Sequence, residues 1–326
     1  MAGEELILQL VDNDDYHRLS EASIPPEYCV ANEPARPLFV CVDFGLTAEL
    51  EPKLVEIQGF PSLYAFQPVL AETYRSAYGL ESRSLLVDDY WRLMRRAIVG
   101  DHEAEEVALL EIDPYHQKTL ADFLLTREQL GIRIVNIEHV EKRGRKLWAD
   151  GRPIGRIYNR VIVDELVRKQ IRPKFDFRDD LDVEWAGHPN WYFRISKFSL
   201  PYLKHASVPR TMFLHEADPL PGDLENWVLK PLYSFAGLGV KIGPTLADIE
   251  AVVDRSQYIL QERVDFAPLI QTPEGATKAE IRVMYVWVDE KPQAVTTIVR
   301  MGRGKMMGVD HNKDLEWVGA SAGFVV

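Results

Sequence analysis

The stretch Val228-Leu229-Lys230-Pro231-Leu232, followed by Ser234-Phe235-Ala236-Gly237-Leu238-Gly239-Val240, decides how this chain is read. A lysine emerges from an apolar run, a short loop carries two glycines, and an apolar run resumes. Glycines lack a Cβ, so backbone N–H groups there can approach phosphate oxygens, and a lysine adds a compact positive charge. The pattern is not a Walker A loop, which needs Gly-Lys-Ser/Thr at the start of a helix. An ordinary hairpin with a surface lysine has the same composition, so the meaning of the stretch depends on its surroundings.

Downstream, residues 245–255 read as a helix with Thr245 at its N-cap. Residues 257–264 and 280–288 read as apolar strands. The polar end of the first, Gln261, Glu262, Arg263 and Val264, offers backbone edges to a purine, and Glu280 in the second offers a carboxylate to a ribose. Residues 293–300 form another strand, and the tail from Met301 reads as loop. Its cations, Arg300, Arg303 and Lys305, lie among glycines ahead of Asp310-His311-Asn312.

At the other end, residues 38–45 and 53–58 read as two strands of a hairpin around the turn at 49–52. Asp43 closes the first strand. Glu56 and Gln58 share a face of the second by the period of two. Two carboxylates and an amide oxygen are hard ligands suited to magnesium carrying phosphates. A solvent face of a hairpin is the plain alternative, but Glu56 and Gln58 interrupt an apolar stretch, which is costly if they are buried without purpose.

The middle alternates. Helices are expected over 68–79 and 86–99, a strand over 106–112, a helix over 117–130 ended by Gly131, and a strand over 132–137. Strand–helix–strand order predicts a small parallel sheet. Asp150-Gly151 marks a hairpin within 148–157, residues 161–170 a helix, and residues 172–189 a polar connection. Tyr158 and Arg160 read first as packing residues and second as substrate contacts. His116, His139 and His205 lack metal spacing.

Composition narrows the classes. With 46% hydrophobic and 27% charged residues the chain has the ordinary globular mix. Its net charge of −12 argues against a general nucleic-acid coat but permits a local basic pocket. Cys29 and Cys41 cannot build a disulfide framework or a four-thiolate zinc site, so two reduced thiols in a cytoplasmic protein are expected. No signal peptide and no membrane span are expected.

Taken together these segments resemble the ATP-grasp superfamily. The resemblance implies that Lys230 with Gly237 and Gly239 covers the phosphates, and that Lys197 in Ile195-Ser196-Lys197 reaches the α-phosphate. It implies an adenine hinge at Gln261, Glu262 and Val264, a ribose carboxylate at Glu280 and a phosphate-side Arg282. It also implies Mg²⁺ on Asp43, Glu56 and Gln58. The metal motif opens the chain instead of following the nucleotide segment, which resembles the circularly permuted branch that includes eukaryotic glutathione synthetases and glutathionylspermidine synthetases. Gln58 stands where that motif has Asn, and Cys41 where many members carry an arginine, so Arg300 would hold the phosphoryl group in transfer.

The implied fold is therefore α+β: a circularly permuted ATP-grasp fold with a small α/β domain in the middle of the chain. Residues 1–85 would carry the permuted metal hairpin, 86–190 the small substrate-side domain and 191–326 the nucleotide-binding domain. The implied activity is an ATP- and Mg²⁺-dependent carboxylate–amine ligase working through an acyl phosphate, with Arg300, Arg282 and Asn312 at the reacting groups. Its partners would be small carboxylates and amines, not nucleic acid or membrane. A phosphotransferase on the same fold and a nucleotide-binding module without catalysis remain the alternatives.

Overall fold

The computed structural model describes residues 2–80, 87–234, 237–304, 306–307, 312 and 314–324, apart from the side chains of residues 163 and 164. Leu86, Phe235, Ala236, Lys305, Asp310 and His311 lie outside the described residues. The chain is a mixed α+β protein. It opens with helices α1 (Ala2–Val11) and α2 (Asp14–Leu19), then strands β1 (Phe39–Leu46) and β2 (Pro52–Gln58). Helices α3 (Phe66–Tyr78) and α4 (Val87–Ile98) lead to β3 (Val107–Glu111), α5 (Leu120–Leu130) and β4 (Arg133–Asn136). Short strands β5 (Glu141–Arg143), β6 (Lys146–Ala149) and β7 (Arg152–Ile154) precede β8 (Arg156–Asn159), helix α6 (Val163–Arg168) and β9 (Glu184–Ala186). The last part carries β10 (Thr211–Phe213), β11 (Trp227–Pro231), β12 (Lys241–Ile242), β13 (Tyr258–Glu262), β14 (Lys278–Val286), β15 (Gln293–Gly302) and β16 (Gly319–Ala322).

The strands form four sheets among the described residues. The five-stranded sheet runs β16-β15-β14-β1-β2, so the opening hairpin completes a sheet begun by the C-terminal strands. Asp43 lies opposite Arg282 on one side and Glu56 on the other. A second sheet, β10-β13-β11-β12, carries the lysine strand. The third, β4-β3-β8-β9, is wholly parallel, as the strand–helix–strand order predicts. The fourth, β5-β6-β7, holds the turn expected at Asp150-Gly151.

Burial explains the texture of β1. Phe39 and Cys41 pack with Tyr64, Met94, Leu109, Phe123 and Tyr158, toward the parallel sheet. Val40 and Val42 pack with Leu6, Ile7 and Leu10 of α1 and with Ile195 and Leu200. Successive side chains point to opposite faces, and both faces are covered, so the strand reads as an apolar run interrupted only by Asp43 and Gly45. Thr245 caps its helix in a capping box with Asp248.

Three expectations are corrected. The helix at 245 ends at Glu250, and Asp254 caps a separate turn at Arg255–Gln257. The connection at 172–189 contains β9, whose three residues are too few to show a period. The tail contains β16, Gly-Ala-Ser-Ala, which has no β-branched residue and exists by pairing with β15.

One buried carboxylate ties the layers together. Asp122 of α5, 1% exposed, accepts from the N–H groups of Leu63 (3.1 Å), Ala65 (2.7 Å) and Phe66 (2.8 Å). It thereby fixes the loop that follows Gln58. Asp122→Ala leaves buried N–H groups unpaired and is expected to cost about 3 kcal/mol of unfolding free energy in a denaturant titration. A change within about 0.5 kcal/mol would deny Asp122 that role.

Candidate functional site

A cleft of about 1450 Å³ runs between the lysine sheet, the five-stranded sheet and the parallel sheet. One small ligand usually occupies roughly 300–1,000 Å³, so this space holds more than one. Its walls include Glu56, Gln58, Lys197, Lys230, Glu280, Arg282 and Arg300.

The centre of the site is built by strand register. Glu56, Asp43 and Arg282 stand side by side on β2, β1 and β14. Glu280 lies two residues along from Arg282, opposite Arg300 of β15. Asp43 is fully buried. Its Oδ1 accepts from Arg282 Nε at 2.7 Å, and its Oδ2 accepts from Arg282 Nη2 at 2.6 Å and Arg300 Nη2 at 2.7 Å. Arg300 also pairs with Glu280, while its Nε is buried without a partner. Burial pushes the Glu280 carboxyl up to about 7 against the pull of Arg300.

Two lysines reach the same place from different elements. A β-bulge shifts the register of β2 against β1 at Leu54–Glu56. The Val55 carbonyl there accepts from Lys230 Nζ at 3.2 Å, and Gln261 Oε1 accepts from the same ammonium at 2.5 Å. Removing that ammonium from water pushes Lys230 down to about 8. Lys197 Nζ donates to the Ser234 carbonyl at 2.7 Å and lies 3.9 Å from Glu56. Gly237 and Gly239 adopt left-handed φ of 76° and 74°, and a Cβ on Gly239 would meet Pro231 at 3.0 Å. Both positions require glycine.

The sequence candidates divide accordingly. Lys197, Lys230, Gly237, Gln261, Glu262, Val264, Glu280, Arg282, Arg300, Glu56 and Gln58 all line the cleft. Gly239 shapes the turn beside it. The Glu262 and Arg263 N–H groups already donate to the Arg210 and Asn226 carbonyls, at 2.8 and 2.7 Å, so a purine would have to use the other edge of this strand end or Val264. Asn312 sits behind the cleft lining: its Oδ1 accepts from the N–H groups of Arg303 (3.1 Å) and Gly304 (2.9 Å), and its Nδ2 donates to the carbonyl of Met306, a lining residue (2.9 Å). It braces its own loop and is not part of the cleft wall.

The expected metal ligands are unequal. Both oxygens of Asp43 are taken by guanidinium groups, whereas Glu56 and its hydrogen-bonded neighbour Gln58 face the cleft. Among the described residues no group of three or more His, Cys, Asp and Glu side chains is placed to hold a metal. Glu56 and Gln58 fit one Mg²⁺ that arrives with phosphates, an ion that needs only one or two protein ligands in such sites. Cys41 is buried beside them, and burial pushes its thiol far up, so it is an inert packing group.

Sequence reasoning left out Glu111 and set Arg160 aside as packing. Both line the same cleft as Lys230, from the parallel sheet. The available signal was a lone acid at the carboxyl end of the apolar strand Val107–Glu111, where ligands of parallel sheets bind.

No protein-family model matches the chain, and no curated protein matches it. No helix among the described residues is long and apolar enough to cross a membrane.

Removing the Asp43 charge takes from Arg282 its forked partner and leaves it only Glu56 at 3.9 Å, while Arg300 keeps only Glu280. Asp43→Asn is expected to cost about 3–5 kcal/mol in chemical denaturation. Stability equal to the parent would mean that the ion pairs do not hold the two strands together.

Proposed function

We propose that the chain is an ATP-dependent carboxylate–amine ligase with a circularly permuted ATP-grasp arrangement. The observation that carries the reading is the convergence of Lys197, Lys230, Arg282 and Arg300 with Glu56 on one cleft, from segments at both ends of the chain. Those four cations face three carboxylates, Asp43, Glu56 and Glu280, so an excess of positive charge sits in a chain of net charge −12. Such a cradle suits a polyphosphate.

In this reading Lys197 and Lys230 neutralise the phosphates. Glu56 and Gln58 would hold one Mg²⁺, which would screen the negative charge of the phosphates. Asp43 takes no part as a ligand; it fixes the two arginines. A substrate carboxylate attacks the γ-phosphorus, ADP leaves, and an acyl phosphate results. Arg300 and Arg282 stabilise the transferred oxygens. An amine then attacks the acyl carbon, the carbon–oxygen bond to phosphate breaks, and an amide forms. No protein nucleophile is needed; positioning and fixed charge lower the barrier.

The lysine yields a pH-dependent signature. In the free protein Lys230 is depressed to about 8, so it is mostly neutral at about pH 9. A triphosphate beside it favours the ammonium form. Binding of ATP at about pH 9 is therefore expected to take up close to one proton, read by calorimetry in buffers of different ionisation enthalpy. Lys230→Met should abolish that uptake and weaken ATP binding by about tenfold or more. Glu56→Gln should abolish Mg²⁺-dependent ADP release while the melting temperature holds. Unchanged ATP affinity in Lys230→Met would overturn the assignment.

A further inference from the structure

One wall of the cleft is the carboxyl edge of the parallel sheet. From β3 the chain crosses to β4 on one side, and from β8 it crosses to β9 on the other. Connections that diverge in this way leave a crevice between the two strands, the place where open parallel sheets bind ligands. Glu111 ends β3 and Arg160 follows β8, with the Arg160 N–H donating to the Leu110 carbonyl at 2.9 Å. Both residues stand in that crevice and line the cleft.

Their burial is unusual for their chemistry. Glu111 is 6% exposed and Arg160 7%. Buried acids and arginines are almost always paired with an opposite charge. Here neither forms an ion pair among the described residues, with each other or with a third group. Glu111 Oε1 accepts from the Ile112 N–H at 2.7 Å. Arg160 Nη1 donates to the Pro61 carbonyl at 2.7 Å, its Nε is buried without a partner, and the Phe60 ring covers it at 4.6 Å. Nearby Glu165 is already taken by Lys169 at 2.7 Å. Burial pushes Glu111 up to about 7, against the Ile112 N–H and Arg160. An unpaired buried charge of each sign is costly to the fold alone.

The geometry points to a second subsite in which Glu111 and Arg160 bind a small zwitterion, the ammonium on Glu111 and the carboxylate on Arg160. A polyamine would leave Arg160 unpaired and repelled; a dicarboxylate would do the same to Glu111. The subsite opens into the cleft that holds Lys230, and the cleft has room for a nucleotide and a second molecule. Its role as the site of a ligation substrate rests on the ligase reading above.

The test is ligand-observed NMR on the full chain with the common L-α-amino acids as probes, and methylamine and acetate as half-ligand controls. At least one amino acid is expected to bind, and neither control. Glu111→Gln and Arg160→Met should each weaken that binding by about tenfold while Mg-ATP affinity stays unchanged. A variant that loses its fold shows it in its melting temperature; Glu111→Asp and Arg160→Lys then carry the comparison. Failure of every amino acid to bind a protein that binds Mg-ATP overturns the subsite, as does binding indifferent to both substitutions. Amino-acid binding through Glu111 and Arg160 in a protein that ignores Mg-ATP keeps the subsite and removes the ligase reading.

Discussion

The structure depends on one buried cluster of charge. Asp43 lies in the middle of β1 with no exposed surface, and two arginines from β14 and β15 occupy both its oxygens. Taking three charges out of water is expensive, and the attraction between them repays it only when each lone pair and each N–H has a partner. Here the forked pair of Arg282 with Asp43 supplies that geometry, and Arg300 meets it through Nη2 with its Nε left unpartnered. It fixes the opening hairpin against strands more than 200 residues later. A slip of one residue would turn Asp43 toward α1 and send its apolar neighbours into the cleft, so the cluster also sets the register.

Register then places function. With Asp43 fixed, Glu56 falls beside it on β2 and Glu280 beside Arg300 on β14 and β15. The bulge in β2 exposes the Val55 carbonyl to Lys230, which links the five-stranded sheet to the lysine sheet. Asp122 sets the loop after Gln58 against the parallel sheet, and that loop brings Phe60 and Pro61 to Arg160. The cleft is thus assembled from a chain of specific polar contacts across apolar layers, and its lining charges are partners of those contacts.

Much of this was legible in the residues. The hairpin strands, the parallel sheet, the turn at Asp150-Gly151 and the cap at Thr245 follow from local pattern, because each is set by alternation or by turn chemistry. The convergence of Asp43 with Arg282 and Arg300 is a long-range pairing that no period encodes; only the resemblance to a permuted family brought those ends together in advance. β9 and β16 escaped because they are three and four residues long and take their structure from neighbours. The loop contacts of Asn312 were not legible because an amide near glycines reads equally as a ligand or a loop brace. Glu111 was passed over because one acid in an apolar strand looks like a strand end until its parallel partner shows what it faces.

The central claim is that segments from both ends of the chain close around one phosphate-bearing ligand. Amide hydrogen exchange with and without Mg-ATP tests it most directly. The account predicts joint slowing over residues 53–59, 195–199, 228–234 and 279–283. Slowing that spares 53–59, or that appears in none of these segments while the nucleotide is bound, would contradict it.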